Sequence, residues 1–262
     1  MTSSGTGQER PGLVLIHGAF HSARCWDPTI VELERQAPDL RVLAVDLPGR
    51  GENPADLAAV TIGQCVDSVV EQIDRAGLAE VVIAAHSLGG VTAPGVVARL
   101  GADRVVRLVL IAAVIPPEGA SDLDLIPQPA RWVVARTIRP GVPRRPPPRA
   151  MARLSFCNGM TREQRAQVYG QLVPEAPGLF HEPVSRAGLP GSVPRSWILT
   201  LRDRAILPRK QRAAIDDLGG VDEVIEIDAC HDVMISEPAS LAAVLAERCV
   251  RPPSDRGQGP PG

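Results

Sequence analysis

The sequence predicts an α/β protein with a doubly wound, mostly parallel sheet and an inserted lid. Six short apolar runs, most of them rich in Val, Leu and Ile, have the length and character of strands buried on both faces. Segments with helical spacing alternate with these runs, which is typical of a doubly wound sheet. The chain has 262 residues, of which 44% are hydrophobic, so it is long enough for one such domain, although length alone also permits two small ones.

The predicted strands are short and follow one another along most of the chain. In order, they are Leu13–Ile16, Val42–Val45, Val81–Ala85, Leu108–Ala112, Trp197–Leu201 and Val224–Ile227.

Helix signals stand between these strands. Asp27 offers an N-cap before Pro28. Thr61 and Gln64 have capping-box spacing, and the apolar residues behind them repeat at helical intervals up to a stop at Gly77. Ser236 and Pro238 begin a last helix that runs toward Cys249.

Residues 114–195 break this rhythm, because they contain no clear strand and are dense in proline. The stretch from Arg139 to Arg149 reads RPGVPRRPPPR and cannot be one helix. The strand pattern resumes afterwards, so we interpret 114–195 as a lid inserted into a domain that spans 11–251. The alternative is a disordered linker between two domains. Residues 1–10 and 252–262 are expected to be loose tails.

Composition limits the partners of the protein. The formal net charge is −2, which gives no electrostatic reason to expect binding to nucleic acid or to an anionic membrane. The N-terminus lacks the pattern of a secretory signal, no apolar run is long enough to span a membrane, and the five irregularly spaced cysteines suggest no zinc site or disulfide framework. We expect a cytoplasmic protein with a small-molecule substrate, as a monomer or homodimer.

The sharpest chemical signal is the segment VVIAAHSLGG, from Val81 to Gly90. A strand that runs through small residues into a serine and then a helix is typical of a nucleophile elbow, whose tight turn lifts the hydroxyl clear of the sheet. The usual pattern is GxSxG, and Ala85 replaces the first glycine here. Ser87 is therefore the predicted nucleophile, with a structural serine at a helix start as the alternative.

A serine hydroxyl needs a base beside it. Of the five histidines, His231 directly follows the last predicted strand, and the carboxyl ends of parallel strands meet at one edge of a sheet. His86 adjoins Ser87, but neighbouring side chains diverge at a sharp turn. His17 and His21 are expected to brace a loop, and His181 lies in the predicted lid.

The base in turn needs an acid to orient its ring. Asp203 follows the strand Trp197–Leu201 and lies between Ser87 and His231 in the sequence, in the order expected for this arrangement. Asp228 and Asp232 are rivals, but both lie very close to His231 in the chain. The alternative, non-catalytic interpretation of Asp203 is a carboxylate paired with a neighbouring arginine.

Negative charge on the substrate oxygen requires preset donors. We expect one to be the Leu88 N–H, directly after the nucleophile, and the other to be the Ala19 N–H in the glycine turn LIHGAFH after the first strand. Substrate-pocket candidates are Phe20, Trp132 and Met234. No metal or organic cofactor is required by this chemistry.

These motifs together resemble the α/β-hydrolase superfamily. LIHGAFH, VDLPGRG, AHSLGG, Asp203 and CHDVMISEP occur in the order found in that fold. HGAFHSARCW followed by VDLPGRG looks like the branch of methylesterases and hydroxynitrile lyases. The resemblance covers nearly the whole chain outside the lid and tails. It implies the roles given above to Ser87, His231, Asp203, Ala19 and Leu88.

The sequence departs from the lyases of that branch at one position. They carry a lysine just after the catalytic histidine, whereas this chain has Asp232, which argues against cyanohydrin cleavage. The leading hypothesis is a serine hydrolase that cleaves a small ester, lactone or thioester through an acyl-enzyme. The alternatives are a lyase or cyclising enzyme that uses the same residues for acid–base catalysis, and a ligand-binding protein on a hydrolase scaffold.

Overall fold

The computed structural model describes residues 10–250, which are organised around one six-stranded parallel sheet. The strand order is β2-β1-β3-β4-β5-β6, and every neighbouring pair is parallel. The strands are β1 Gly12–Ile16, β2 Val42–Val45, β3 Val81–His86, β4 Val105–Ile111, β5 Arg195–Thr200 and β6 Glu223–Ile227. The prediction of a doubly wound parallel sheet is thus confirmed, with all six strands within three residues of their expected ends.

Ten α-helices connect or flank these strands in the described part of the chain. They are α1 Asp27–Gln36, α2 Ile62–Arg75, α3 Ala93–Leu100, α4 Ala130–Thr137, α5 Arg149–Ser155, α6 Arg162–Gln171, α7 Gly178–His181, α8 Pro208–Asp217, α9 Val233–Ser236 and α10 Pro238–Arg248.

Helices cover both faces of the sheet. Successive side chains along each strand point to opposite faces, so each strand contributes to two cores. In β1, Val14 and Ile16 belong to a core shared with α2, α3 and α8. Leu13 and Leu15 belong to a second core shared with α1 and α10. Burial on both faces explains why the strand sequences are continuously apolar.

Local sequence signals account for most helix starts. Capping boxes at Thr61 and Thr161 begin α2 and α6, each closed by a glutamine three residues later. Two predicted details are wrong: Asp27 is the first residue of α1 and not its cap, and Ser236, which was expected to begin the last helix with Pro238, ends α9 while α10 starts at Pro238. In both cases a proline in the first helical turn sets the start without a side-chain cap.

Residues 112–194, between β4 and β5, form the intervening segment. It contains α4 to α7 and, apart from an isolated bridge between Arg144 and Glu175, no strand pairing. The proline-rich stretch 139–148 is not helical, and α5 begins at Arg149. The segment matches the extent of the predicted lid, and its role as a lid stays a prediction.

No helix within residues 10–250 is both long and apolar enough to cross a membrane. The predicted tails fall outside the described residues, except for Arg10.

The buried apolar face of α2 gives a direct test of how this helix packs against the sheet. We expect Ile73→Ala to lower the free energy of unfolding by about 2–5 kcal/mol, because Ile73 is fully buried and a smaller side chain leaves a cavity. Glu71→Ala, on the exposed side of the same helix, should change it by less than about 1 kcal/mol, since its partner Arg75 is equally exposed. Urea unfolding measures both, and equal effects would contradict the assignment of the buried face.

Candidate active site

Ser87 lies at the sharp turn between β3 and the helical turn Ser87–Val91. Its φ is 51°, in the left-handed region that a residue with a side chain rarely adopts. A conformation of this kind costs about 1–3 kcal/mol and persists only when the surroundings enforce it. Here the Ser87 carbonyl accepts a hydrogen bond from the Val114 N–H at 2.8 Å, which ties the turn to the chain beyond β4.

The turn is crowded, and this explains the small residues around it. A Cβ added to Gly18 would lie 2.7 Å from the Ser87 Cβ, and one added to Gly89 would lie 2.8 Å from the His17 carbonyl oxygen. Both distances are too short for a real contact, so the loop after β1 reaches Ser87 only because these positions are glycine. Ala85, at the first position of the elbow, is fully buried and fits.

A chain of hydrogen bonds connects Ser87 to Asp203 through His231. The Ser87 Oγ lies 2.9 Å from His231 Nε2, and His231 Nδ1 lies 2.7 Å from Asp203 Oδ2. Ser87 follows β3, Asp203 follows β5 and His231 follows β6, so parallel pairing brings them to one edge of the sheet. All three are buried.

The Asp203 carboxylate has a full set of donors. Its Oδ1 accepts from the N–H groups of Ala205 and Ile206, both at 2.8 Å. Its Oδ2 accepts from the Thr200 hydroxyl at 2.9 Å and the Gln211 amide at 3.2 Å, besides His231. Burial raises the pKa of Asp203, but His231 and these donors outweigh it and hold the pKa below the usual value. Asp203 is therefore an ionised carboxylate at neutral pH.

Charges around the His231 ring shift its pKa upward. Burial alone lowers this pKa, whereas Asp203, which is hydrogen-bonded to the ring, and Asp232 both raise it, and the net direction is upward. The two rival acids lie elsewhere: Asp228 is exposed and pairs with Arg202 at 2.9 Å, and the buried Asp232 faces His21 at 3.4 Å. Neither rival forms the ring hydrogen bond that Asp203 forms.

Two other histidines support the site as neutral side chains. His17 Nε2 accepts from the Leu47 N–H at 3.2 Å, so its Nδ1 carries the proton and donates to the Gly18 carbonyl at 2.9 Å. His86 Nε2 donates to the His231 carbonyl at 2.9 Å. Burial lowers the pKa of each ring to about 3. His17 thus braces the glycine turn, as expected, and His86 braces the backbone of His231.

Ala19 and Leu88 both line the cavity that contains Ser87 and His231. The next residue, Phe20, has a φ of 64°, and its two backbone groups are held by the intervening segment. Its N–H donates to Glu175 Oε2 at 3.1 Å, and its carbonyl accepts from the Val173 N–H at 2.9 Å. The Phe20 N–H is thus occupied by Glu175, and the Ala19 N–H stays the predicted donor from this turn.

Glu175 is itself fixed by a buried ion pair. Arg50 and Glu175 are almost fully buried and in direct contact, and the Arg50 guanidinium also donates to the Pro48 carbonyl at 2.5 Å. Sequence reasoning missed both residues. The only local signal was a charged arginine inside the VDLPGRG motif, and its partner lies 125 positions away in a segment without a recognisable pattern.

The cavity around Ser87 has a volume of about 100 Å³. Its walls include Phe156 and Phe180 from the intervening segment, and the Phe156 ring lies 5.5 Å from the His231 ring. Asp122, from the same segment, also lines it and was not anticipated from the sequence.

The three predicted pocket residues do not line this cavity. Trp132 is 63% exposed and lies against Arg136, because α4 has no buried residue and packs weakly. Met234 points into the core under α1, where its carbonyl accepts from Thr29 at 2.9 Å. Phe20 lies behind the cavity wall against Phe180, with ring centroids 6.5 Å apart. This differs from the prediction, which had no means of knowing which way these side chains face.

One group of side chains within residues 10–250 has the spacing of a metal site. The donor atoms of His86, His231 and Asp232 lie within 4.8 Å of one another. Both His231 nitrogens already contact Ser87 and Asp203, so a metal here would have to break one of those contacts. The arrangement therefore fits proton transfer better than metal binding.

Comparisons with known proteins agree with this geometry. The family model described as the alpha/beta hydrolase family matches residues 13–244. Methylesterase 7 of Arabidopsis thaliana is 30% identical over 252 residues, covering 89% of this chain and 94% of the relative. The carbendazim hydrolyzing esterase of Nocardioides sp. (strain SG-4G) is 28% identical over 246 residues, covering 89% and 97%.

Among solved structures, an extracellular alpha/beta-hydrolase from a Paenibacillus species superimposes with a TM-score of 0.79 at 24% identity, covering 91% of this chain and 98% of that one. This likeness shows a shared fold. The resemblance to methylesterases inferred from the motifs is confirmed by the curated relatives. With the family model matched along most of its length, the chain belongs to the alpha/beta hydrolase family.

Proposed function

We propose that this carboxylic ester hydrolase cleaves a small ester, lactone or thioester through an acyl-enzyme, with Ser87 as nucleophile, His231 as base and Asp203 as orienting acid. The observation that carries the proposal is the unbroken chain of hydrogen bonds from Asp203 through His231 to the Ser87 hydroxyl, at 2.7 and 2.9 Å. Side-chain pairs at these distances form the arrangement that activates a serine.

In the first half-reaction, the Ser87 oxygen attacks the carbonyl carbon while its proton moves to His231 Nε2. The ring then carries two protons, and the ionised Asp203 offsets its charge through Nδ1. The carbon–oxygen or carbon–sulfur bond to the leaving group breaks, and Nε2 returns the proton to that group. In the second half, water attacks the acyl-enzyme, its proton moves to Nε2, and the Ser87 oxygen leaves and regains a proton.

The negative oxygen formed in each attack is stabilised by the N–H groups of Ala19 and Leu88. Glu175 acts as a positioning residue, because its bond to the Phe20 N–H fixes the turn that carries Ala19. Donors preset in this way need no rearrangement as charge develops. The backbone cost of Phe20 in its left-handed conformation is offset by bonds from Glu175 and Val173.

The neighbourhood of His231 favours hydrolysis over cyanohydrin cleavage. Position 232 carries a buried aspartate whose pKa is lowered: burial raises it, and the pairing with His21 outweighs that effect. A fixed negative charge beside the ring disfavours a departing cyanide anion. The same charge raises the pKa of His231, which strengthens it as a base.

Ser87→Ala tests the nucleophile. Hydrolysis of p-nitrophenyl acetate should fall several thousandfold or more, because the acyl-enzyme step is lost. Asp203→Asn should cost about 10³–10⁴-fold in kcat, since the ring tautomer is no longer enforced. Circular dichroism checks that each variant is folded. A burst of p-nitrophenol equal to the enzyme concentration distinguishes an acyl-enzyme from purely acid–base chemistry. A rate unaffected by Ser87→Ala would reject the proposal.

The raised pKa of His231 determines the acid limb of the pH profile. His231 must be neutral to accept the proton, so kcat/KM should rise with pH through an apparent pKa above the ordinary 6.5. Asp232→Asn removes a charge that raises this pKa and should move the limb to lower pH. The flanking groups Asp203 and His86 remain in place. Asp228→Asn, which removes an exposed charge nearby, should leave the limb where it is; a limb unmoved in both variants would contradict the argument.

Glu175→Gln tests positioning. The amide keeps an acceptor for the Phe20 N–H but loses the ion pair to Arg50, so the turn should loosen. We expect kcat to fall by up to about 10²-fold, the lower bound for losing one oxyanion donor, with little change in KM. Affinity for a trifluoromethyl ketone, which mimics the anion, should fall in parallel, while affinity for the product acid should not.

Glu182→Gln is the matched control for that variant. Glu182 also lies in the intervening segment and also accepts a backbone N–H, but from Ile62 at the start of α2, at 2.8 Å, and not from the turn that carries Ala19. If both variants lost stability alone, with ketone affinity unchanged, Glu175 would be a structural residue only.

A further inference from the structure

A second cavity adjoins the one that contains Ser87. Its volume is about 270 Å³, and four residues line both cavities: Val114, Asp122, Ala205 and Ile206. The remaining lining is mostly aliphatic and comes from the end of β4, the turn after Asp122 and helix α8; it consists of Ala113, Ile115, Leu125, Ile126, Ala213 and Ala214, with Lys210 and Asp217 on the exposed side of α8.

The first cavity alone is too small for most organic substrates. Its volume of about 100 Å³ is below the roughly 300–1,000 Å³ typical of small-molecule sites, whereas the two cavities together reach the lower end of that range. A substrate whose carbonyl lies at Ser87 therefore has room to extend in the direction of the second cavity. The aliphatic lining there suits a hydrocarbon arm.

Asp122 stands at the junction of the two cavities without a hydrogen-bond partner among the described residues. The capping role in its turn belongs to Asp124, whose Oδ2 accepts from the N–H of Ser121 at 2.7 Å and from its hydroxyl at 2.6 Å. The Asp122 carboxylate is therefore not needed to hold the local backbone. The half-buried Asp122 carboxylate lines both cavities and has no protein donor within residues 10–250, so it can accept a hydrogen bond from a ligand.

The surroundings of Asp122 leave that charge only partly balanced. Burial raises the pKa of its carboxyl to about 6, and Arg144 opposes the shift. The Arg144 guanidinium is engaged with the Phe20 and Phe180 rings, 5.4 and 5.1 Å from their centroids. A cationic group on the substrate would add to the stabilisation of the ionised carboxylate that Arg144 provides.

We propose that the substrate is an amino ester or thioester: a protonated amine binds Asp122 at the junction, and an aliphatic arm beyond it occupies the second cavity. This inference rests on the proposed function, because it assumes that the reacting carbonyl lies at Ser87. It adds the chemical class of the group that the site selects.

The test uses matched thioester pairs that differ in one atom. One member carries a tertiary ammonium followed by a butyl arm, and the other has carbon in place of the nitrogen. One pair has this group in the thiol part and a second pair has it in the acyl part; released thiol is followed with a disulfide reagent. The measured quantity is the ratio of kcat/KM for the ammonium thioester to kcat/KM for its carbon isostere.

For one of the two pairs, we expect a ratio above about ten in the wild-type enzyme, equivalent to about 1.4 kcal/mol. Asp122→Asn should reduce this ratio about tenfold or more. Asp216→Asn is the matched control, because Asp216 is an exposed acid on α8 that lines neither cavity, and it should keep the wild-type ratio. Ala213→Phe, which places a larger side chain at the exposed edge of the second cavity, should lower kcat/KM for both long-arm members relative to S-ethyl thioacetate.

Three results would overturn the inference alone: a wild-type ratio near one for both pairs, a ratio unchanged by Asp122→Asn, or an uncharged hydroxyl analogue cleaved as well as the ammonium ester. Failure of the proposed function is seen separately. If wild-type enzyme shows no Ser87-dependent turnover of S-ethyl thioacetate, the acyl-enzyme mechanism is wrong, and the inference falls with it.

Discussion

Parallel pairing of the strands is the constraint on which the rest of the structure depends. It sends the carboxyl ends of all six strands to one edge of the sheet, so side chains that are 144 and 28 positions apart in sequence become hydrogen-bonded neighbours. Ser87, Asp203 and His231 each follow a different strand. Short turns after these strands are enough to bring the three side chains together, and the buried apolar strands supply the rigid base that keeps the distances fixed.

The parts of this arrangement that sequence predicts are those with strong local signals. The six strands, the elbow at Ser87 and the capping box at Thr61 each carry a short pattern set by local backbone and burial requirements. The fold class follows from their alternation. Asp203 and His231 were predictable only because their strands were, since position after a strand, and not residue type, distinguishes them from the other acids and histidines.

The parts that could not be predicted depend on long-range packing. Glu175 reaches Phe20 across 155 positions, and no pattern in the intervening segment marks it. Trp132 has a large aromatic side chain of the kind that lines pockets, but the helix that carries it has no buried residue and leaves Trp132 exposed. In the sequence, Asp122 is one of two aspartates in the short turn Asp122–Leu125. Only the coordinates separate it from Asp124, which holds the backbone.

The attachment of Phe20 to the intervening segment at both its N–H and its carbonyl has a consequence for substrate entry. A hinge motion that carried residues 173–175 away from the sheet would break both bonds and the buried pairing of Glu175 with Arg50 at once. Residues 173–175 are therefore held in place by several contacts at once. Movement of the intervening segment is therefore easier around α4, which has no buried residue, than around residues 173–175.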